Sequence, residues 1–150
     1  MIILSILIGQ KSYGQIVDFN NENPYKRVFV ETDNFGISYL EVLEDSYKKV
    51  KSDTIKYDML NDLAYYWHTR NLTKALKFAK EGLRLTGSSN NTLWEGRFQI
   101  TQGAILLRME KLDSAYTILE DAKIKVKEAD KAFLYTQLGY VFERRGQLDR

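Results

Sequence analysis

The sequence predicts an all-α fold in which antiparallel helical hairpins stack as an α-solenoid. Apolar residues recur at the three- and four-residue spacing of helices that bury one face. Small residues recur at intervals of 36 and 40 residues, and a period in this range is typical of stacked helical hairpins. The single proline, Pro24, leaves the following 126 residues without the residue that most often stops or kinks a helix.

Size and composition predict one globular domain and exclude several kinds of site. The chain has 150 residues, of which 44% are hydrophobic. Its formal net charge is only +2, so charge alone indicates neither a nucleic acid nor an anionic membrane as a partner. Because there is no cysteine, disulfides and sulfur-based zinc sites are excluded, and the redox compartment stays open.

The N-terminal segment resembles a secretory signal peptide. Residues 2–8 are mostly apolar, and residues 12–15 read Ser-Tyr-Gly-Gln, a small-x-small spacing that suits cleavage after Gly14. We therefore expect residues 1–14 to be removed on export, which predicts a periplasmic protein. No Lys or Arg precedes the run, so the alternatives are a cytoplasmic protein or a start upstream of Met1. The run is far shorter than the roughly 20 apolar residues of a membrane-spanning helix.

A polar linker and a first helix are predicted next. Residues 15–36 are rich in asparagine and other turn formers, which favours a linker. The helical repeat region is predicted over residues 37–150. Ser38-x-x-Glu41 has the spacing of a capping box, in which the two side chains satisfy free backbone amides at a helix start. This predicts a helix from residue 38 to about residue 50.

A first hairpin is predicted from two helices over about residues 54–69 and 71–87, the second capped by Asn71. Apolar and small side chains line one side of each helix, so the two are expected to pack together. The residues on these sides are Leu60, Leu63, Ala64 and Trp67 in the first helix and Ala75, Phe78, Ala79 and Gly82 in the second.

The same pattern recurs twice. A second capping box, Thr92-x-x-Glu95, predicts another helix start, and a third copy is expected to begin near Asp130. The residues predicted for the cores of these copies are Phe98, Gly103, Leu106, Leu107, Ala115, Leu119, Ala122, Tyr135, Leu138, Gly139 and Phe142.

Residues 138–149, Leu-Gly-Tyr-Val-Phe-Glu-Arg-Arg-Gly-Gln-Leu-Asp, resemble the first helix and turn of a tetratricopeptide repeat. The family places a small residue where two helices cross, because a larger side chain would separate them. The resemblance covers about residues 54–150 and implies a TPR-like solenoid. Departures are a period longer than the usual 34 and the lack of a helix-ending proline. Matching small residues are Ala64, Gly103, Gly139, Ala75, Ala115, Gly82 and Ala122, and matching large residues are Trp67, Leu106 and Phe142.

No motif for catalysis or for a cofactor is present. The spacings of a phosphate loop, a dinucleotide fingerprint, a nucleophile elbow and a zinc HExxH motif are all absent. His68 is the only histidine, so no site can use two. The sequence therefore predicts a protein that is not an enzyme, with no cofactor and no metal.

The resemblance implies that the inner face of the superhelix binds a protein or peptide partner. Some relatives hold a terminal carboxylate there with lysines and asparagines, but this clamp does not carry over, because Asp62, Tyr65, Thr101 and Ala104 stand at the matching positions. No basic and aromatic stripe predicts nucleic acid binding in this segment. The candidate binding residues are Asp58, Asn61, Tyr65, His68, Arg97, Arg108, Tyr140, Glu143 and Arg144.

The last predicted hairpin has only its first helix. Its apolar residues Leu134, Leu138, Val141 and Phe142 are expected to be uncovered, which would forgo about 6–12 kcal/mol of burial. We therefore expect a longer protein or another covering surface. The arrangement resembles the sensory part of bacterial membrane signalling proteins, which implies a membrane link through a C-terminal region. The alternative is an N-terminal fragment of an enzyme, such as a sensor histidine kinase, with its catalytic domain beyond residue 150.

Overall fold

The computed structural model describes residues 33–146. These residues are helical and include no strand, so the all-α prediction is confirmed for this part of the chain. The predicted signal peptide and residues 15–32 of the predicted linker lie outside the described residues. The helices are α1 (Asp33–Ser46), α2 (Asp53–Trp67), α3 (Leu72–Ser88), α4 (Thr92–Arg108), α5 (Leu112–Ala122) and α6 (Glu128–Arg144).

The chain divides into two compact units, with the boundary between Met59 and Leu60. The described part of the first unit holds α1 and the beginning of α2. Its buried apolar side chains are Tyr39, Leu40, Leu43, Val50, Tyr57 and Met59, whereas Ile37 is exposed.

Helix α1 corrects two predictions from the sequence. It begins at Asp33 and ends at Ser46, whereas a linker to residue 36 and a helix over residues 38–50 were predicted. Ser38 lies inside the helix, where it cannot serve as an N-cap. Gly36 favoured a linker, but it is buried in the second turn from the start of α1. Glycine inside a helix costs only about 1 kcal/mol, which burial of the neighbouring apolar side chains exceeds.

Helix α4 is the centre of the second unit. It packs against α3, α5 and α6, and α5 also packs against α6. Most of the predicted core residues are buried here, which confirms the helical periodicity. The confirmed residues are Leu60, Leu63, Ala64, Trp67, Ala75, Phe78, Ala79, Gly82, Phe98, Gly103, Leu106, Leu107, Ala115, Leu119, Ala122 and Leu138.

Two glycines of α4 allow close approach of neighbouring segments. A Cβ atom on Gly103 would lie 2.5 Å from Cγ of Leu119 in α5. A Cβ atom on Gly96 would lie 2.7 Å from Cγ1 of Val126, which belongs to the connection between α5 and α6. Any side chain at these positions would force the segments apart.

The start of α4 corrects the second predicted capping box. Asn91 is the N-cap, and its side chain accepts a hydrogen bond from the Trp94 amide at 3.2 Å. Thr92 is the first helical residue, and the carboxylate of Glu95 pairs with Lys125 at 2.5 Å. Asparagine caps helices at least as well as threonine, so the residue one position earlier takes the role.

The apolar residues of α6 were predicted to be uncovered, and this prediction is wrong. Leu134, Leu138 and Val141 are buried in one apolar cluster with residues of α4 and α5, and Phe142 packs partly against it. The helix therefore turns its apolar side back onto the preceding pair of helices. These four side chains were expected to be uncovered, but α4 and α5 bury three of them and partly cover the fourth. Tyr135, predicted as core, is instead 53% exposed.

Helices α4 and α6 have the same length and the same backbone ending, 36 residues apart. Met109 donates its amide to the Ile105 carbonyl at 3.0 Å, and Arg145 donates to Val141 at 3.0 Å. The next residue is left-handed in both cases, with φ of 57° at position 110 and 69° at position 146. The ends of these two helices are thus separated by the same 36 residues that separate Gly103 from Gly139 in the sequence. Among residues 33–146, no helix has both the length and the apolar character needed to cross a membrane.

Candidate binding cleft

An open cleft of about 900 Å³ lies in the second unit. We call it the α4–α6 cleft, because the end of α4 and one side of α6 form much of its wall. The end of α2 and the start of α3 complete it. The lining residues are Tyr65, His68, Thr69, Arg70, Leu72, Thr73, Ala104, Leu107, Arg108, Glu110, Phe133, Thr136, Gln137, Tyr140 and Arg144.

Helical spacing explains why these side chains meet. Ala104, Leu107 and Arg108 are three and four residues apart on α4, so they share a face. On α6, Phe133, Thr136, Gln137, Tyr140 and Arg144 follow the same spacing.

Aromatic rings form one wall of the cleft. The rings of Tyr65 and Phe133 are 5.7 Å apart in an edge-to-face arrangement, which joins α2 to α6. The ring of Tyr65 also lies 4.8 Å from that of His68. Tyr140 remains 49% exposed. The wall therefore offers partly exposed ring surface that a ligand side chain can cover.

Positively charged groups outnumber negative ones in the lining. Arg144 pairs with Glu110 and also donates to the Leu107 carbonyl at 3.4 Å. Arg70 donates to the Tyr66 carbonyl at 2.9 Å. Arg108 is exposed at the end of α4, and within residues 33–146 its guanidinium makes neither a hydrogen bond nor an ion pair. Arg108 is thus the cation of this cleft that is available to an incoming anion.

The surroundings of His68 favour its neutral imidazole. Burial lowers the pKa of its imidazole below the ordinary value, and the nearby cations Arg108 and Arg70 lower it further. The hydrogen bond that Nδ1 donates to the Tyr65 carbonyl opposes this shift. With the proton on Nδ1, the other ring nitrogen is left as an acceptor.

The structure gathers part of the predicted binding set in the cleft. Tyr65, His68, Arg108, Tyr140 and Arg144 all line it. These five residues were predicted from the register that the tetratricopeptide resemblance implies.

The other predicted residues do not line the cleft. Asn61 accepts a hydrogen bond from Thr101 at 2.7 Å. Arg97 pairs with Asp130 at 2.9 Å, and its guanidinium lies over the Trp94 ring. Intramolecular partners therefore engage both side chains. Glu143 is exposed outside the cleft, and Asp58 belongs to the first unit.

Sequence reasoning missed several lining residues. Phe133, Thr136 and Gln137 continue the helical spacing of Tyr140 and Arg144, so a face drawn through the two predicted residues would have found them. Glu110 lies in the turn after α4 and carries no such signal, because helical periodicity does not extend into a turn.

The described residues contain no group of three or more His, Asp or Glu side chains placed to hold a metal ion. No protein-family model, curated protein or solved structure matches the chain.

Proposed function

We propose that this chain is a protein-interaction module whose TPR-like helical hairpins hold a segment of a partner protein in the α4–α6 cleft. The observation that carries the proposal is the cleft itself, which combines partly exposed aromatic rings with Arg108, an arginine that makes no ion pair within residues 33–146. Tyrosine and arginine are the side chains that most often anchor protein interfaces.

The repeat architecture is part of the proposal. Its support is the 36-residue offset that relates α4 to α6 along their whole length and through their left-handed ends. Helix α5 packs against both of them, as expected for the second helix of a hairpin that also contacts the next repeat.

The shape of the cleft suits a chain segment. Its volume is near the upper end of the range for small-molecule pockets, about 300–1,000 Å³, and it is open to solvent. A partner segment could lie across the ends of α2 and α4 and contact α6 without any helix moving. Such pre-formed sites keep the entropic cost of binding low.

We further propose that the module belongs to an exported signalling or scaffold protein, on the strength of the apolar run at residues 2–8 and the small residues before Gln15. Fractionation of cells followed by N-terminal sequencing of the native protein tests this. A periplasmic or membrane species that begins at Gln15 is expected. A cytoplasmic species that retains Met1 would contradict export.

The binding proposal is tested by filling the cleft. Thr136 is an exposed residue of the cleft whose hydroxyl donates to the Ala132 carbonyl at 2.8 Å. We expect Thr136→Trp to reduce capture of peptides from a random 12-residue library at least about tenfold, because the indole would occupy the binding volume.

The matched control is Thr117→Trp. Thr117 is also exposed on a helix, and its hydroxyl donates to the carbonyl four residues earlier at 3.0 Å, but it lies outside the cleft. This variant should capture peptides as the wild type does. Equal capture by both variants and the wild type, or no capture by any, would contradict a binding role for the cleft.

A further inference from the structure

We propose that the α4–α6 cleft selects an acidic segment, with one carboxylate seated at Arg108 and His68 and a neighbouring apolar side chain against Tyr65 and Phe133. The inference rests on the proposed interaction function and adds the chemistry of the partner. It also assigns His68 a role, which is to take up a proton when the carboxylate binds.

Charge complementarity selects an acidic partner. The lining carries three arginines against one glutamate. Glu110 and Arg144 already pair with each other, so their charges largely cancel. Arg70 and Arg108 remain, and only Arg108 lacks an acceptor among the described residues. A carboxylate can accept two parallel hydrogen bonds from one guanidinium, which gives both attraction and orientation.

The aromatic wall selects the neighbour of that carboxylate. Tyr65 and Phe133 meet edge to face beside His68. Tyr65 keeps more than a third of its surface exposed. An apolar or aromatic side chain next to the acidic residue would cover this ring surface and shield the ion pair from water, which strengthens the pair.

His68 makes the affinity for the carboxylate depend on pH. Its imidazole is near enough to Arg108 for that cation to lower its pKa. A bound carboxylate supplies the opposite charge and raises the pKa of His68 in the complex. The complex therefore binds more protons than the free protein as pH falls, so affinity increases from pH 7.5 to pH 5.5. Titratable or charged groups that line the cleft around His68 are Tyr65, Arg70, Arg108, Glu110, Tyr140 and Arg144.

The test compares two peptide libraries on the full chain. Both contain random 12-residue peptides with the same apolar residues, but one uses Asp and Glu where the other uses Asn and Gln. At pH 7.5 we expect the wild type to retain the acidic library at least about fivefold more than the amide library.

Two variants that change the net charge equally test whether the carboxylate binds at Arg108. Arg108→Gln should abolish the preference, because it removes the guanidinium without removing a hydrogen bond or ion pair of the described fold. Arg84→Gln should keep the preference. Arg84 is an exposed arginine of α3 that pairs with Glu81, so the variant lowers the net charge equally but lies outside the cleft.

Binding measured at two pH values tests the role of His68. Since it is the only histidine, we expect acidic peptides to bind about three- to tenfold more tightly at pH 5.5, where a glutamate of pKa about 4.3 is still ionised. His68→Gln should bind with little dependence on pH. A pH dependence that persists in this variant would overturn the role of His68.

The remaining outcomes separate this inference from the proposed function. Equal retention of both libraries by the wild type would overturn acidic selectivity and leave peptide binding intact. No retention of either library would reject both proposals. If Arg108→Gln still prefers the acidic library, the carboxylate does not bind at Arg108.

Discussion

Helices α4 and α6 are equivalent along the chain but differ in what surrounds them. Each has 17 residues, and each is followed by a left-handed residue. Gly103 of α4 lies against Leu119, whereas Gly139, 36 residues later, has no atom within 4 Å of the place where a Cβ would be. Gly103 is therefore required for close packing in α4, whereas Gly139 at the equivalent position of α6 is exposed to solvent.

The starts of the two helices differ as well. Asn91 caps α4 with its side chain, but Lys127 at the equivalent position of α6 makes no side-chain cap. Two helices 36 residues apart can therefore share their length and backbone ending and still differ in their surroundings. A residue's role must be read from its neighbours as well as from its register.

The largest effect should come from a bulky residue at the glycine pair. Gly103→Leu should lower the free energy of unfolding by about 3 kcal/mol or more, because overpacking a core costs about 1–3 kcal/mol even for smaller insertions. Gly139→Leu should change it by less than about 0.5 kcal/mol. Trp67 and Trp94 are the two tryptophans of the chain and both lie in the second unit, so tryptophan fluorescence in urea measures this unit. Similar losses in both variants would contradict the difference in packing.

Substitutions at the left-handed residues after α4 and α6, Glu110 and Gly146, should change stability in opposite directions. Gly146→Ala should destabilise the second unit by about 1 kcal/mol, because a Cβ is unfavourable at positive φ. Glu110→Gly should stabilise it by up to about 1 kcal/mol, since the exposed pair with Arg144 contributes little. Glu110→Ala, which keeps the Cβ, is the control and should leave the urea midpoint nearly unchanged. A gain in the alanine control equal to that in Glu110→Gly would show that the backbone is not the cause.

A third comparison concerns the side-chain cap that α4 has and α6 lacks. Asn91→Ala should lower the free energy of unfolding by about 1 kcal/mol through loss of the bond to Trp94. Thr92→Ala should have almost no effect, because Thr92 does not cap the helix. Urea titration followed by circular dichroism distinguishes the two. A larger loss of unfolding free energy in Thr92→Ala would show that Thr92 caps the helix after all.

The smallest expected effect is the addition of a cap to α6. Lys127 has the extended backbone of an N-cap, with φ of −85° and ψ of 168°. Lys127→Asn should therefore raise the free energy of unfolding by about 0.5 kcal/mol. Lys127→Gln, which also removes the charge but is too long to cap, is the control. Equal midpoints for the two variants would indicate that charge, rather than capping, sets the stability.

Periodicity made most of the fold predictable. Leu63, Ala79 and Leu119 are buried as their helical spacing required, since an amphipathic helix must turn one face to a core. The direction of α6 was not predictable in this way. Leu134 and Val141 lie on its apolar side, but spacing alone does not say whether that side faces the preceding helices or a later one.

The cleft was predictable only in part. Tyr65 in α2 and Tyr140 in α6 were predicted from the register that the tetratricopeptide resemblance implies, and both line the cleft. Arg97 occupies a similar register, but it pairs with Asp130, which is 33 residues away in the chain. Long-range partners of this kind decide which charged side chains remain available, and no local pattern in the sequence reveals them.

The central position of α4 has a consequence for amide hydrogen exchange. Helices α3, α5 and α6 pack against it, and Thr101 donates a hydrogen bond to Asn61 of α2. Its residues from Phe98 to Leu107 are buried except for Gln102, which is partly exposed. Solvent can reach the amides of this stretch only when several interfaces open together, so these amides should exchange at the rate set by unfolding of the whole unit. More of the residues of α6 are exposed, so its amides can exchange through smaller openings. Exchange should therefore spread inward from α6, and the middle of α4 should be the last part of the unit to take up deuterium.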